Sequence, residues 1–152
     1  MIRLLTLGVL ALAFVSTQGE ARSKRIHVTA KVEETTLIGD PAEPKIGDQR
    51  ITRVVLFDPD KHKKEVGTGT GICTLVKLPI PSEEDALVQC YITATLDNKG
   101  QIIFGGTASL PIIGAVGHFG IFGGTDDFHK ARGEATLTVI SLDTQDAVFD
   151  LE

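Results

Sequence analysis

What most constrains this chain is a repeated alternation. Apolar and polar residues take turns with a period of two in segment after segment, and no stretch of useful length repeats at the helical period. An extended backbone points successive side chains to opposite sides, so such a segment buries one face and exposes the other. Eight segments read this way: Ile26 to about Leu37, Arg50–Asp58, Glu65–Leu78, Ala86–Leu96, Gln101–Leu110, a short one near Gly117–Phe122, Ala131–Leu142 and Asp146–Leu151. Turn residues punctuate them. Asp97-Asn98-Lys99-Gly100 is a tight-turn sequence, because Asn and Gly both accept positive φ. Pro79-Ile80-Pro81-Ser82-Glu83-Glu84 cannot continue a ladder. Asp58-Pro59-Asp60-Lys61 and Asp143-Thr144-Gln145 close two further hairpins. The longest connection, Ile38 to Gln49, is rich in Pro, Gly and Asp, and long loops on a rigid sheet often carry function.

Eight sequential strands joined mostly by hairpin-length loops predict an all-β fold, an eight-stranded antiparallel up-and-down barrel. A two-sheet sandwich is the competing architecture. Closure leaves no exposed edge, and an eight-stranded interior is either filled by side chains or holds one small ligand. Sixteen Gly with one Tyr and no Trp suit a β protein of this kind. A formal charge of −5 speaks against nucleic acid as a partner, since binding it requires a basic face.

Residues 1–21 stand apart from this pattern. Arg3 precedes an apolar run from Leu4 to Val15, and Ser16 to Ala21 is small and polar. This is the layout of a secretory signal peptide, with cleavage after Ala21 and Gly19 at the −3 position. An uncleaved N-terminal anchor is the alternative, although the run is short for a bilayer. Residues 22–152 then form one domain, secreted or otherwise extracytoplasmic, with no membrane association after cleavage. Export would place both cysteines in an oxidising compartment. Counting outward from the Pro81–Ser82 bond sets Cys73 directly opposite Cys90 in the hairpin, within disulfide reach. Two buried thiols or a reactive Cys73 are the other readings.

Glu34 is the candidate for chemistry. Ile26, Val28, Ala30 and Val32 share one face of the first strand, and Glu34 falls on the same parity. A carboxylate on an apolar face is costly without a partner, and its raised pKa would suit an acid, a base or a stabiliser of developing cation. A solvated position at the barrel rim is the alternative, and Glu33 takes its place if a bulge flips the register. Gly67-Thr68-Gly69-Thr70-Gly71 lacks the following Lys and the strand–helix context of a phosphate loop, and instead makes room on one face for a backbone or a ligand. Asp58, Asp60, Asp126 and Asp127 have no calcium spacing, and His27, His62, His118 and His129 have no paired zinc spacing, so no metal site is expected. His118 would be structural, solvated or a proton donor at a barrel end.

Three segments together carry a family resemblance: Val66-Gly67-Thr68-Gly69-Thr70-Gly71-Ile72-Cys73-Thr74-Leu75, Gly100-Gln101-Ile102-Ile103-Phe104-Gly105-Gly106, and Phe122 to Ala135 with its Gly123-Gly124-Thr125 and Ala131-Arg132-Gly133. The last resembles a stretch of dirigent proteins, with Asp126 where that pattern has Gly. The Gly-x-Cys segment is similar to allene oxide cyclase. The resemblance is to a secreted, bacterial-type member of that barrel superfamily and covers roughly Ile26 to Leu151. It implies a trimer of antiparallel barrels, each with an apolar cavity and no cofactor, that work by confining a reactive intermediate. The expected assembly is a homo-oligomer, dimer or trimer. In this frame Arg132 would pair with a barrel carboxylate, steer an anionic substrate, or fix a loop or subunit contact. Tyr91 would contact the ligand or reach the surface, Phe128 would plug one barrel end, and Gly123-Gly124 would permit a sharp bend.

Two functions follow as expectations. The first is a cofactor-free cyclase or stereochemical guide acting on an apolar small molecule. The second is a non-catalytic extracytoplasmic barrel that binds such a molecule. A trimeric structural protein with a filled barrel is a third.

Overall fold

The structure is a computed structural model that describes residues 24–61, 64–78, 86–110 and 112–152. The leader assigned to residues 1–21 lies outside the described residues. Eight strands form: β1 (Lys24–Ile38), β2 (Gln49–Phe57), β3 (Glu65–Lys77), β4 (Leu87–Leu96), β5 (Gly100–Ser109), β6 (Val116–Gly124), β7 (Gly133–Val139) and β8 (Thr144–Leu151). Each pairs with its sequence neighbours, and β1 closes on β8, giving a closed antiparallel barrel in simple order. Lys24–Lys31 of β1 pairs with β8, while Thr29–Ile38 pairs with β2. One long strand therefore serves two neighbours, and the sandwich reading is excluded.

Strand ends moved by a few residues, each for a local reason. The seventh strand was expected from Ala131 to Leu142 but runs from Gly133 to Val139. At its start, a 3-10 turn over Asp126–Phe128 precedes it, and the Ala131 N–H donates to the Phe128 carbonyl at 2.9 Å. At its end, Ile140 and Ser141 N–H groups both donate to the Thr144 carbonyl at 3.0 Å, which spends those residues on the hairpin. In that turn the Ser141 and Thr144 hydroxyls donate to Asp143 and hold its carboxyl below the ordinary value. The Asp97–Gly100 turn formed as expected, with Asn98 at φ 58° and Gly100 at φ 101°.

Asp126 is the other non-glycine residue with positive φ among the described residues, at 51°. The left-handed region is costly for a residue with a Cβ, though least so for Asp and Asn. Asp126→Gly should therefore raise stability by about 0.5–1 kcal/mol, the relief of strain outweighing the added chain entropy. Chemical denaturation midpoints of the two proteins measure this.

The interior is half filled. At the end carrying the β2–β3, β4–β5 and β6–β7 loops, Ile102, Leu96, Leu151 and Phe128 are buried against one another. Phe128 caps that end as the sequence suggests, with the Lys24 ammonium 5.1 Å from its ring centroid. Above them Phe104 sits between Phe119 and Phe149, edge to face, at centroid distances of 6.2 and 5.2 Å. These three rings form the floor of what lies above.

Candidate functional site

Above the ring floor the barrel is hollow. A cavity of about 390 Å³ opens at the end carrying the β1–β2, β3–β4, β5–β6 and β7–β8 connections. That is within the usual range for a small-molecule pocket. Its wall is mostly aliphatic: Val54, Leu75, Val88, Ile92, Ala108 and Leu137 stand over the Phe104–Phe119–Phe149 floor. Gly69 and Gly71 face inward on β3 between these side chains. A Cβ on Gly69 would come within 2.8 Å of Val54 Cγ2, and one on Gly71 within 3.3 Å of Ile92 Cγ1. The alternating glycines thus make room inside the barrel, one of the two uses their pattern allowed.

The disulfide lies in this wall. Cys73 and Cys90 are ladder partners in β3 and β4, with Cα atoms 4.1 Å apart, and they are bonded to each other. The opposition counted from the Pro81–Ser82 bond is the one observed for this pair, with a register shift between Leu75 and Lys77 on the loop side of it, and both residues line the cavity. The β1–β2 connection covers part of the mouth. It is pinned to β3 by Gly47 N–H donating to the Leu75 carbonyl at 2.9 Å and Leu75 N–H donating to the Asp48 carbonyl at 2.8 Å. Pro41 and Pro44 of this loop touch the cavity, so the longest connection does reach the site. Around the opening Leu37, Ile38, Ile112, Ile113 and Leu142 are exposed, so the rim is greasy as well as the lumen.

The polar residues named from sequence are elsewhere. Parity counted from Val32 puts Glu34 on the apolar face. A bulge intervenes: Val32 pairs with Val54, then Glu34 pairs with Arg53. Glu33 is the extra residue, and both carboxylates end on the outer wall beside one guanidinium. Arg53 Nε is 3.2 Å from Glu33 and Arg53 Nη2 is 3.7 Å from Glu34, whose side chain is 65% exposed. The fallback to Glu33 moves with it, and neither residue lines the cavity.

Tyr91 is also outside, 55% exposed, pairing with Ile72 across the ladder and stacking on Phe122 at 6.5 Å. Phe122 follows the outward parity of His118 and Gly120, and it is the extra residue of a bulge where β6 pairs with β5. Arg132 lies at the closed end, donating from Nη1 to the Ala131 carbonyl at 2.7 Å, while its own carbonyl accepts from Glu152 N–H. Of the roles open to Arg132, the structure shows the loop contact. His118 pairs with Glu134 at 3.0 Å on the outer surface, and His62 lies outside the described residues.

The structure places a different charged residue inside. Arg50 lines the cavity, with Leu37 and Cys73 as its ladder neighbours on either side. Burial pulls its guanidinium below the ordinary value while leaving it a cation. Sequence reading missed it although the signal was present: Arg50, Thr52, Val54 and Leu56 share parity on an uninterrupted strand. Thr52, Ser109 and Gln145 are further polar residues of the lining. Asp40 and Asp48 stand at the mouth, where they accept from the Ala42 N–H at 2.9 Å and the Lys45 N–H at 2.7 Å.

No protein-family model and no curated protein sequence matches the chain. Solved structures do. A pyocyanin demethylase superposes with a TM-score of 0.69 at 21% identity, covering 85% of this chain and 100% of that one. AbnU, an exo-specific intermolecular Diels-Alderase, gives a TM-score of 0.64 at 16% identity over 84% of this chain and 98% of its own. The pterocarpan synthase dirigent protein GePTS1 gives 0.63 at 18% identity over 86% and 83%. At these identities the likeness is one of fold, and the fold is shared by proteins with different chemistries.

Proposed function

We propose that this chain is a cofactor-free barrel of the dirigent and cyclase type, which holds a reactive apolar small molecule and guides its stereoselective cyclisation or coupling. The observation that carries the reading is the cavity itself: about 390 Å³ of mostly apolar space in a closed barrel, open at one end. Such a pocket restricts a flexible substrate to one folded conformer and keeps water from an intermediate. The barrel likeness to a Diels-Alderase and to a dirigent protein is consistent with work by confinement. The disulfide fits an oxidising compartment, in keeping with export by the leader assigned to residues 1–21. An exposed outer patch of Ile72, Tyr91 and Phe122 offers a surface for the homo-oligomer that the resemblance implies.

Carriage without chemistry is the second reading, and one observation favours it: among the described residues no carboxylate or histidine lines the cavity below its mouth. One experiment separates the two. N-phenyl-1-naphthylamine, a neutral apolar dye, should bind with a rise in fluorescence, and Ala108→Trp, which fills the lumen, should weaken it at least tenfold without unfolding the barrel. The outer-wall variant Glu34→Gln should leave dye binding unchanged. The protein is then added to apolar dienes with dienophiles, and to phenols under a one-electron oxidant, with products resolved by chiral chromatography. Guidance predicts an isomer ratio shifted by the protein and restored to the uncatalysed value by Ala108→Trp. Dye binding with unshifted ratios across the panel supports carriage.

A further inference from the structure

Among the described residues, several charged side chains of the outer surface are paired, while most of the lysines are exposed to water without an ion-pair partner. Arg25 meets Asp150 at 3.4 Å, Arg53 meets Glu33 and Glu34, Lys45 meets Glu43 at 4.0 Å and His118 meets Glu134. Arg50 differs from all of these in its surroundings: among the described residues it is the one Lys or Arg that lines the cavity. It projects from the inner face of β2 into an apolar lumen, and among the described residues its side chain has neither a carboxylate within 4.0 Å nor a hydrogen bond. The two nearby mouth acids are turned to their own loop, accepting from backbone N–H groups.

An unmatched guanidinium taken partly out of water lowers stability, and the loss is recovered when an anion reaches it. The planar fork of Arg matches a carboxylate with two parallel hydrogen bonds, and an adjoining apolar wall strengthens them by excluding water. Geometry sets the order of the two contacts along the barrel axis. The aromatic floor is at the bottom, and Arg50, the second residue of β2, is near the mouth.

We propose that the cavity's ligand is a carboxylate-bearing amphiphile, its apolar body on the Phe104–Phe119–Phe149 floor and its carboxylate bound by Arg50. This rests on the small-molecule reading above and names the substrate class for the same cavity. Arg50 is then a specificity residue: it selects and orients the ligand by its head, which fixes the depth at which the rest of the molecule lies.

The test is displacement of N-phenyl-1-naphthylamine from the full-length mature chain by decanoate, 1-decanol and decylamine at neutral pH. Decanoate should compete at least tenfold better than decanol, and decylamine worse than either. Arg50→Met should remove the preference of decanoate over decanol while leaving dye affinity equal or tighter, and Arg50→Lys should keep part of it. Rising salt should weaken decanoate and leave decanol unchanged. Equal competition by decanoate and decanol in the wild type, or an undiminished preference in Arg50→Met, overturns the proposal. Failure of the dye to bind the wild type instead overturns the open-cavity reading on which it stands. Thermal melting of Arg50→Met checks folding, and a melting temperature at or above that of the wild type is expected once the unmatched charge is gone.

Discussion

Cutting the Cys73–Cys90 link should cost about 3 kcal/mol, the value expected from loop closure for a loop of this order of length. The two cysteines are 17 residues apart in sequence and directly opposite in the ladder. Without the bond the unfolded chain regains the freedom of the whole β3–β4 connection, while the folded state keeps its hydrogen-bonded hairpin. For a domain of this size the loss corresponds to roughly 10 °C in melting temperature. Thermal unfolding followed by circular dichroism, with and without a reductant, measures it in the native protein. A double Cys73→Ala, Cys90→Ala variant should melt near the reduced wild type and respond no further to reductant. A reductant effect under about 1 kcal/mol would mean that the two sulfurs are not bonded in the working protein. Both sulfurs are on the cavity wall, so reduction should also alter dye affinity.

Phe104→Ala should be about as damaging, at about 3–5 kcal/mol. Phe104 is 2% exposed and touches two other rings, so its removal loses apolar burial and two edge-to-face contacts together. Because typical domain stabilities are only about 5–15 kcal/mol, the variant should be folded but marginal. Its urea midpoint should fall with little change in slope. The same truncation deepens the cavity by the volume of the lost ring, so bulkier neutral dyes than N-phenyl-1-naphthylamine should bind it relatively better than they bind the wild type. If the floor were not continuous with the cavity, stability would fall without that change in selectivity.

The contrast between Glu34 and Arg50 shows which parts of the site could be read from sequence. Parity counting is dependable on an uninterrupted strand. On β2 it puts Arg50 on the side of Val54 and Leu56, where the structure has it. On β1 it fails at one place, between Val32 and Glu34, where a bulge adds a residue and moves every later side chain to the other face. Thr35 and Leu37, which odd numbering would put outside with His27 and Thr29, become partners of Thr52 and Arg50. A bulge has no firm residue signature, so nothing in Lys31-Val32-Glu33-Glu34 announces it. On β6, by contrast, alternation from Phe119 and Ile121 already faces Phe122 outward, where it meets Tyr91.

The order of strands, the hairpin turns and the opposition of Cys73 to Cys90 could be read from the sequence itself, because alternation and turn chemistry act over a few residues. Which side chains share the lumen, and how much of it stays empty, was decided only by closure of the barrel. Those properties depend on the bulge in β1, on inward glycines opposite Val54 and Ile92, and on three rings drawn from three strands. They are sums over residues far apart in the chain, and packing around a closed ring, not local preference, sets their value.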